Sequence, residues 1–236
     1  MDYELAYLSF IKSCLTRVQA EELDLIEKAG DALGGVIARG GVFHVFGSGH
    51  SSLIAMDCFQ RAGSFAAANL IVDPTDGKAE RIEGYGRELV AGYDLREGEV
   101  LIVISNSGRN PLPIEVAMCA KEKGLTVIAI TSRSHSSNVL SRHSSGRRLM
   151  DIADIVLDNF SPPGDTCIEI PGLGEKVGPI STVVGSFILN LILIHATAYC
   201  VEHEVVPPIL VSQNIDGTDQ RNKELLSRYK HRIGAV

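Results

Sequence analysis

Residues 101–111 read Leu-Ile-Val-Ile-Ser-Asn-Ser-Gly-Arg-Asn-Pro. Four branched apolar residues run directly into a small, hydroxyl-rich turn. A strand with no polar position has no face to offer water, so both of its faces must be covered, which is the condition of a strand inside a parallel sheet. Apolar runs of the same kind recur at 42–46, 69–72, 126–130 and 154–157. Helical patterns near 51–62, 78–91, 111–123 and 136–152 separate them. This alternation predicts an α/β fold with a doubly wound, five-stranded parallel sheet of the flavodoxin-like kind.

The flanks are helical extensions. Leu23, Leu25, Ile26, Ala29, Leu33 and Ile37 lie at helical spacing within 3–38, and Gly40-Gly41 ends that region. After Asp158 the chain turns rich in Pro and Gly, with 167–170 predicted as a short extra strand. A long apolar helix over about 180–203 follows, then a charged helix near 218–232. One domain therefore spans 1–236, with N-terminal helices over 1–40, an α/β core over 41–203 and a C-terminal tail and helix over 204–236.

Composition narrows the function. With 236 residues, 45% of them hydrophobic, the chain can bury a core without disulfides or metals. A formal net charge of −7 argues against nucleic acid as a partner, because duplex binding draws most of its affinity from a basic face. It leaves room for a small phosphorylated ligand. The five cysteines are scattered and form no C-x-x-C pair, so a reduced, cytoplasmic setting is expected, with no metal site and no cofactor. The N-terminus lacks the form of a signal peptide. The longest apolar run, 183–194, is broken by Gly185, Ser186 and Asn190, so a buried helix rather than a membrane span is predicted.

Two strand ends carry the chemistry. Residues 43–52 read Phe-His-Val-Phe-Gly-Ser-Gly-His-Ser-Ser. Gly47 and Gly49 permit close backbone approach, and Ser48, Ser51 and Ser52 add hydroxyls where free N–H groups can receive an anion. By itself this turn reads equally well as a serine-capped helix start, or as a dinucleotide loop lacking its third glycine, with Asp73 at the end of the next strand. In the opening stretch Ser105 or Asn106 can cap a helix after Pro111, and Gly108 can take a positive φ. A dinucleotide needs only one phosphate loop. Two Ser-rich turns on neighbouring strand ends fit a phosphate and the sugar that carries it.

At these residues the sequence resembles a known family. "VFGSGHS", "VISNSGRNP" and "GLTVIAITS" resemble the sugar isomerase (SIS) domain, and "SRHSSGRRL", "PPGD" and "NIDGTDQRNKEL" are similar to stand-alone bacterial SIS proteins of a phosphoheptose isomerase-like group. The resemblance implies a phosphosugar or carbohydrate-derivative ligand. It places phosphate contacts on Ser48, Ser51, Ser105 and Ser107, with Gly49 and Ser52 in the same loop. Asn106 and Asn110 are second-rank donors, and Ser181-Thr182 is a third polar turn. It also implies a homodimer or homotetramer in which a neighbouring chain completes the pocket.

Isomerisation of a phosphosugar needs a base for the C–H proton and an acid for the carbonyl oxygen. The resemblance places a catalytic Glu on the helix after the first loop, but Gln60-Arg61 stand there. The carboxylate candidates are Asp57, Glu83 and Glu175, set against surface readings for Asp57 and Glu83. The histidine candidates are His50, inside the first loop, and His195, aligned with the family's helix histidine but by default a buried core residue. His143 lies on the ligand side of the fourth strand, and His44 reads as structural. Arg133, Arg142, Arg147 and Arg148 form a solvated basic face, a second anionic contact or a subunit interface. Catalysis is one expectation. A non-catalytic sugar-phosphate-binding regulator, and an etherase or lyase acting on an N-acetylated amino-sugar phosphate, are the alternatives.

Overall fold

Strand β3 (Val100–Ile104) is buried at every position, as its unbroken apolar run requires. The computed structural model describes residues 2–233. β3 lies at the centre of a five-stranded sheet with β1 (Phe43–Gly47), β2 (Ala68–Ile71), β4 (Thr126–Thr131) and β5 (Ile155–Asp158). The order is β2-β1-β3-β4-β5, and every neighbouring pair is parallel. The predicted doubly wound sheet is therefore the observed one.

The pleat sends alternate side chains to opposite layers. Val100, Ile102 and Ile104 join the layer formed by α1 (Tyr3–Glu21), α2 (Leu23–Ala38), α3 (Ser51–Asp57) and the long C-terminal core helix. Leu101 and Val103 join the layer formed by α4 (Tyr85–Ala91) and α5 (Pro111–Glu122). Helix α2 is more than an extension: Ile26, Ala29, Leu33 and Ile37, four of the residues picked out by spacing, are buried in the core.

Three expected helices are shorter. The one expected over 51–62 stops at Asp57, because the chain turns to form an antiparallel bridge between Phe65 and Ile209. Of 78–91, only α4 is helical; before it the chain is a series of turns, with Gly84 at φ +90. Residues 136–152 hold only the end of α6 (Arg133–Ser137) and a single 3-10 turn, Leu149–Asp151. The serines and arginines between them bond to backbone instead of packing, as Ser141 does with the Arg147 carbonyl at 2.7 Å. The extra strand is β6 (Thr166–Glu169), and it pairs with β7 (Lys176–Pro179), which the sequence reading left unassigned.

Helix α7 (Ser181–Glu202) has 22 residues, long enough to cross a bilayer by length alone. Val184, Ile188, Leu189, Ile192 and Ala196 are instead buried in the core shared with α2. The two helices touch closely enough that a Cβ on Gly30 would come within 2.3 Å of the His195 Cβ. Helix α8 (Asp219–Tyr229) follows the tail, and Leu210 and Leu225 form a small cluster with Ala66.

A polar network closes the edge of the sheet where the strands begin. Glu99, 5% exposed, accepts from Arg232 Nη2 at 2.8 Å and from the Arg96 amide at 3.0 Å, and lies 3.0 Å from His44 Nε2. The side-chain amide of Asn69 meets His44 Nδ1 at 3.0 Å. Burial alone would raise the Glu99 pKa, but its bonds to His44, Arg232 and the Arg96 amide outweigh that and hold it at about 2. A carboxylate depressed below its ordinary value stabilises the fold above that value, and the contribution fades as pH falls toward 2. Replacing Arg232 by Ala leaves a buried charge short of a partner. Urea unfolding at neutral pH should then show a loss of about 3 kcal/mol, with acid unfolding beginning at higher pH. A change under about 0.5 kcal/mol would show that Arg232 does not hold Glu99.

Candidate functional site

In an open parallel sheet a ligand settles beyond the carboxyl ends of the strands, where the strand order reverses. Here the reversal lies at β1, whose neighbours are β2 on one side and β3 on the other. The loops leaving β1 and β3 are the two Ser-rich turns, so the topology sets them side by side.

Both loops are built around a left-handed glycine. Gly49 has φ +55 and Gly108 φ +59. A Cβ at Gly108 would meet Leu149 Cβ at 3.2 Å and Ser136 Oγ at 3.3 Å, so both conformation and space call for glycine there. Ser105 Oγ accepts from the Gly108 amide at 3.3 Å, which leaves its own O–H to donate. Among the described residues, the amides of Gly49, His50 and Ser107 and the hydroxyls of Ser51 and Ser107 have no protein partner.

Asp73, at the end of β2, organises the first loop. Its carboxylate accepts from Ser48 Oγ at 3.2 Å, the Thr75 amide at 2.9 Å, Thr75 Oγ1 at 2.7 Å, the Gly77 amide at 2.9 Å and the Tyr85 hydroxyl at 3.2 Å. Burial works to raise its pKa, but these donors prevail and hold it below the usual carboxylate range. Gly77 then lies over the loop, where a Cβ would be 3.1 Å from Gly49 Cα. Asp73 is thus occupied in loop structure. Asn106 ties the second loop to β5: its Oδ1 accepts from Ser161 Oγ at 2.7 Å and Asn159 Nδ2 at 2.9 Å.

The remaining expected residues divide by place. Ser52 Oγ donates to the Gly49 carbonyl at 2.7 Å. His50 is exposed and shares with Gly49, Ser52, Leu53, Asp73 and Asp76 a cavity of about 300 Å3. Asn110 is buried and accepts from Arg142 Nη1 at 2.8 Å. Ser181 Oγ and its amide both donate to Asp165, at 2.8 Å each, while Thr182 is exposed. Asp57 is paired with Arg61 and accepts from Asn190 Nδ2 at 3.0 Å. Glu83 is exposed, accepts from the Ser144 amide at 2.5 Å, and is shifted down by its Ser144 bond. Glu175 lies on the exposed tip between β6 and β7. His195 is fourteen residues along α7 from Ser181, about 21 Å at the helical rise, and packs against Gly30 of α2. His143 Nε2 faces the buried Glu115 at 3.5 Å.

The sequence reading missed two residues. Glu80 lies in the turns after β2, where its carbonyl accepts from the Leu112 amide at 3.1 Å, just beyond the second loop. Its half-buried carboxyl is pushed up by burial, against the pull of Asn110, Arg81 and Arg142. Arg109, inside the second loop, is half-buried with no hydrogen-bond partner for its Nε among the described residues. The signal for Arg109 was present in its place between Gly108 and Asn110. Glu80 carried none, because the stretch around it reads as a surface helix.

Comparison with known proteins agrees with this architecture. The family signature described as the SIS domain matches residues 6–132. A UPF0309 protein of Shouchella clausii is 39% identical, with 99% of each chain covered. A UPF0309 protein of Listeria innocua is 38% identical over 96% of each. Among solved structures, a phosphoheptose isomerase from Francisella tularensis superposes with a TM-score of 0.60 at 16% identity, covering 83% of this chain and 96% of its own. The likeness to that enzyme is one of fold.

Proposed function

The chain belongs to the SIS domain family, and from that premise we propose that it binds a phosphorylated sugar across residues 48–52 and 105–108 and isomerises it between aldose and ketose forms. One observation carries the reading. Two serine-lined loops with unpaired amides and hydroxyls flank the reversal of strand order. Anchoring the phosphate there positions the sugar carbons for proton transfer.

The chemistry asked of the protein is small. A base removes the proton from the carbon beside the carbonyl, an enediol forms, and the proton returns to the former carbonyl carbon while a second group serves the oxygens. Glu80 suits the base, because its backbone is tied to Leu112 just beyond the second loop and burial raises its carboxyl above the usual carboxylate range. His50 suits the second role, being exposed inside the first loop. Gln60-Arg61, standing where the family resemblance implies a glutamate, favour a second reading, sugar-phosphate sensing without turnover.

The functional unit is a homo-oligomer. Val183, Phe187, Asn190, Ile194, Thr197 and Val201 alternate four and three apart along α7, the spacing of a helix-pairing seam. Ile194 is 61% exposed and Val201 62%, an apolar strip that a second copy would cover.

Three measurements test this. Replacing Ser105 and Ser107 together by Ala should abolish thermal stabilisation by sugar monophosphates such as glucose 6-phosphate and fructose 6-phosphate, and undiminished stabilisation would refute the site. Proton NMR of the same sugars in heavy water should show deuterium entering C1 or C2, with at least about a hundredfold slowing in Glu80→Gln. Binding without exchange would establish the sensor instead. Light scattering should find a dimer or larger assembly that Ile194→Glu splits into monomers; a monomeric wild type would overturn the seam.

A further inference from the structure

Buried polar atoms without partners are rare in folded proteins and call for an explanation. Three of those among the described residues are Arg109 Nε, His135 Nδ1 and Ser136 Oγ. They belong to one place. Ser136, fully buried, has its Oγ 3.3 Å from where a Cβ on Gly108 would stand, next to Arg109. His135 is its neighbour in α6, held below the ordinary imidazole range by burial and then by the charge of Arg109.

The arginines that the sequence brought forward are already committed. Arg133 Nη2 donates to the Val156 carbonyl at 2.5 Å, Arg142 Nη1 to Asn110 at 2.8 Å, and Arg147 Nη2 to the Asp151 carbonyl at 2.8 Å. Arg148 pairs with Asp151 at 3.0 Å and donates to the Ser136 carbonyl at 2.8 Å. Arg109 has no carboxylate within ion-pair distance among the described residues. The surrounding field is positive as well: burial, then Arg109 and Arg81, push the Arg142 pKa down, with Glu80 opposing. A half-buried guanidinium without a counter-charge costs free energy that an oxyanion would offset, most fully through charge-assisted hydrogen bonds.

We propose that Arg109, His135 and Ser136 form a second anion subsite beside the phosphate loops, so that the preferred ligand is a sugar phosphate bearing a second oxyanion, a carboxylate or another phosphate. The inference rests on the assignment of the first phosphate to the Ser105–Ser107 turn. Two chain steps separate Ser107 from Arg109, at most about 7 Å between their Cα atoms, within the length of a six-carbon sugar derivative.

Calorimetric titration with matched probes tests the subsite. Fructose 6-phosphate is compared with fructose 1,6-bisphosphate, and glucose 6-phosphate with 6-phosphogluconate, which separates a second phosphate from a carboxylate. The wild type should bind at least one doubly anionic probe about tenfold or more tightly than its partner. Arg109→Ala should erase that preference while changing monophosphate affinity less than about threefold, and Arg109→Lys should restore part of it. Circular dichroism and unfolding midpoints confirm that the variants are folded. Equal binding of both members of each pair by the wild type overturns the subsite and leaves the phosphate loops standing. A parallel loss of both in Arg109→Ala assigns Arg109 to the first phosphate and also overturns it. Failure of every probe to bind, or full binding by the Ser105/Ser107 double variant, removes the underlying site assignment and the subsite with it.

Discussion

The burial of β3 on both faces is the constraint from which the rest follows. A strand with five successive buried apolar residues needs a neighbouring strand at each edge and a helical layer on each side. Parallel pairing then forces every strand to leave the sheet at the same edge, so five loops gather at one rim. The reversal of order at β1 puts the helix after β1 and the helix after β3 in opposite layers, so neither covers the start of the other.

The rim is polar but largely satisfied from within. Asp73 collects five donors, Asn106 accepts from two residues of the β5 loop, and Asp165 takes both donors of Ser181. Such wiring fixes loop shape, because an unmade bond at a buried polar group costs more than a made one contributes. What stays unpaired is correspondingly informative. The free amides of the two glycine turns, the hydroxyl of Ser107 and the guanidinium of Arg109 are donors, while the carboxylate of Asp73 beside the first turn is occupied. The imbalance favours an anion at a protein whose overall charge is negative.

At the other edge, where the strands begin, the logic reverses. Glu99, His44, Asn69 and Arg232 bond to one another inside the fold, away from the rim where the two serine loops lie. His44 and His50 lie six residues apart on one strand and its loop, yet one serves the fold and the other faces solvent. Strand direction, not residue type, separates them.

The sequence alone determined the sheet, the two-sided burial and the pair of serine loops, because each follows from local patterning: apolar runs of strand length, and glycine with hydroxyls at their ends. It overextended the helices over 51–62, 78–91 and 136–152, where turns held by Asp73 and by serine-to-backbone bonds replace helical ones that spacing alone cannot rule out. It also missed β7, whose strand character comes from pairing with β6. Only the tertiary structure decided which polar groups are free. Asp57, Glu83 and Arg142 looked available as letters and are bound to partners 133, 61 and 32 residues away. Glu80 and Arg109 looked unremarkable and are the groups left with unspent chemistry. Residue type sets what a side chain can do; only long-range neighbours, which no local window contains, set whether it remains free to do it.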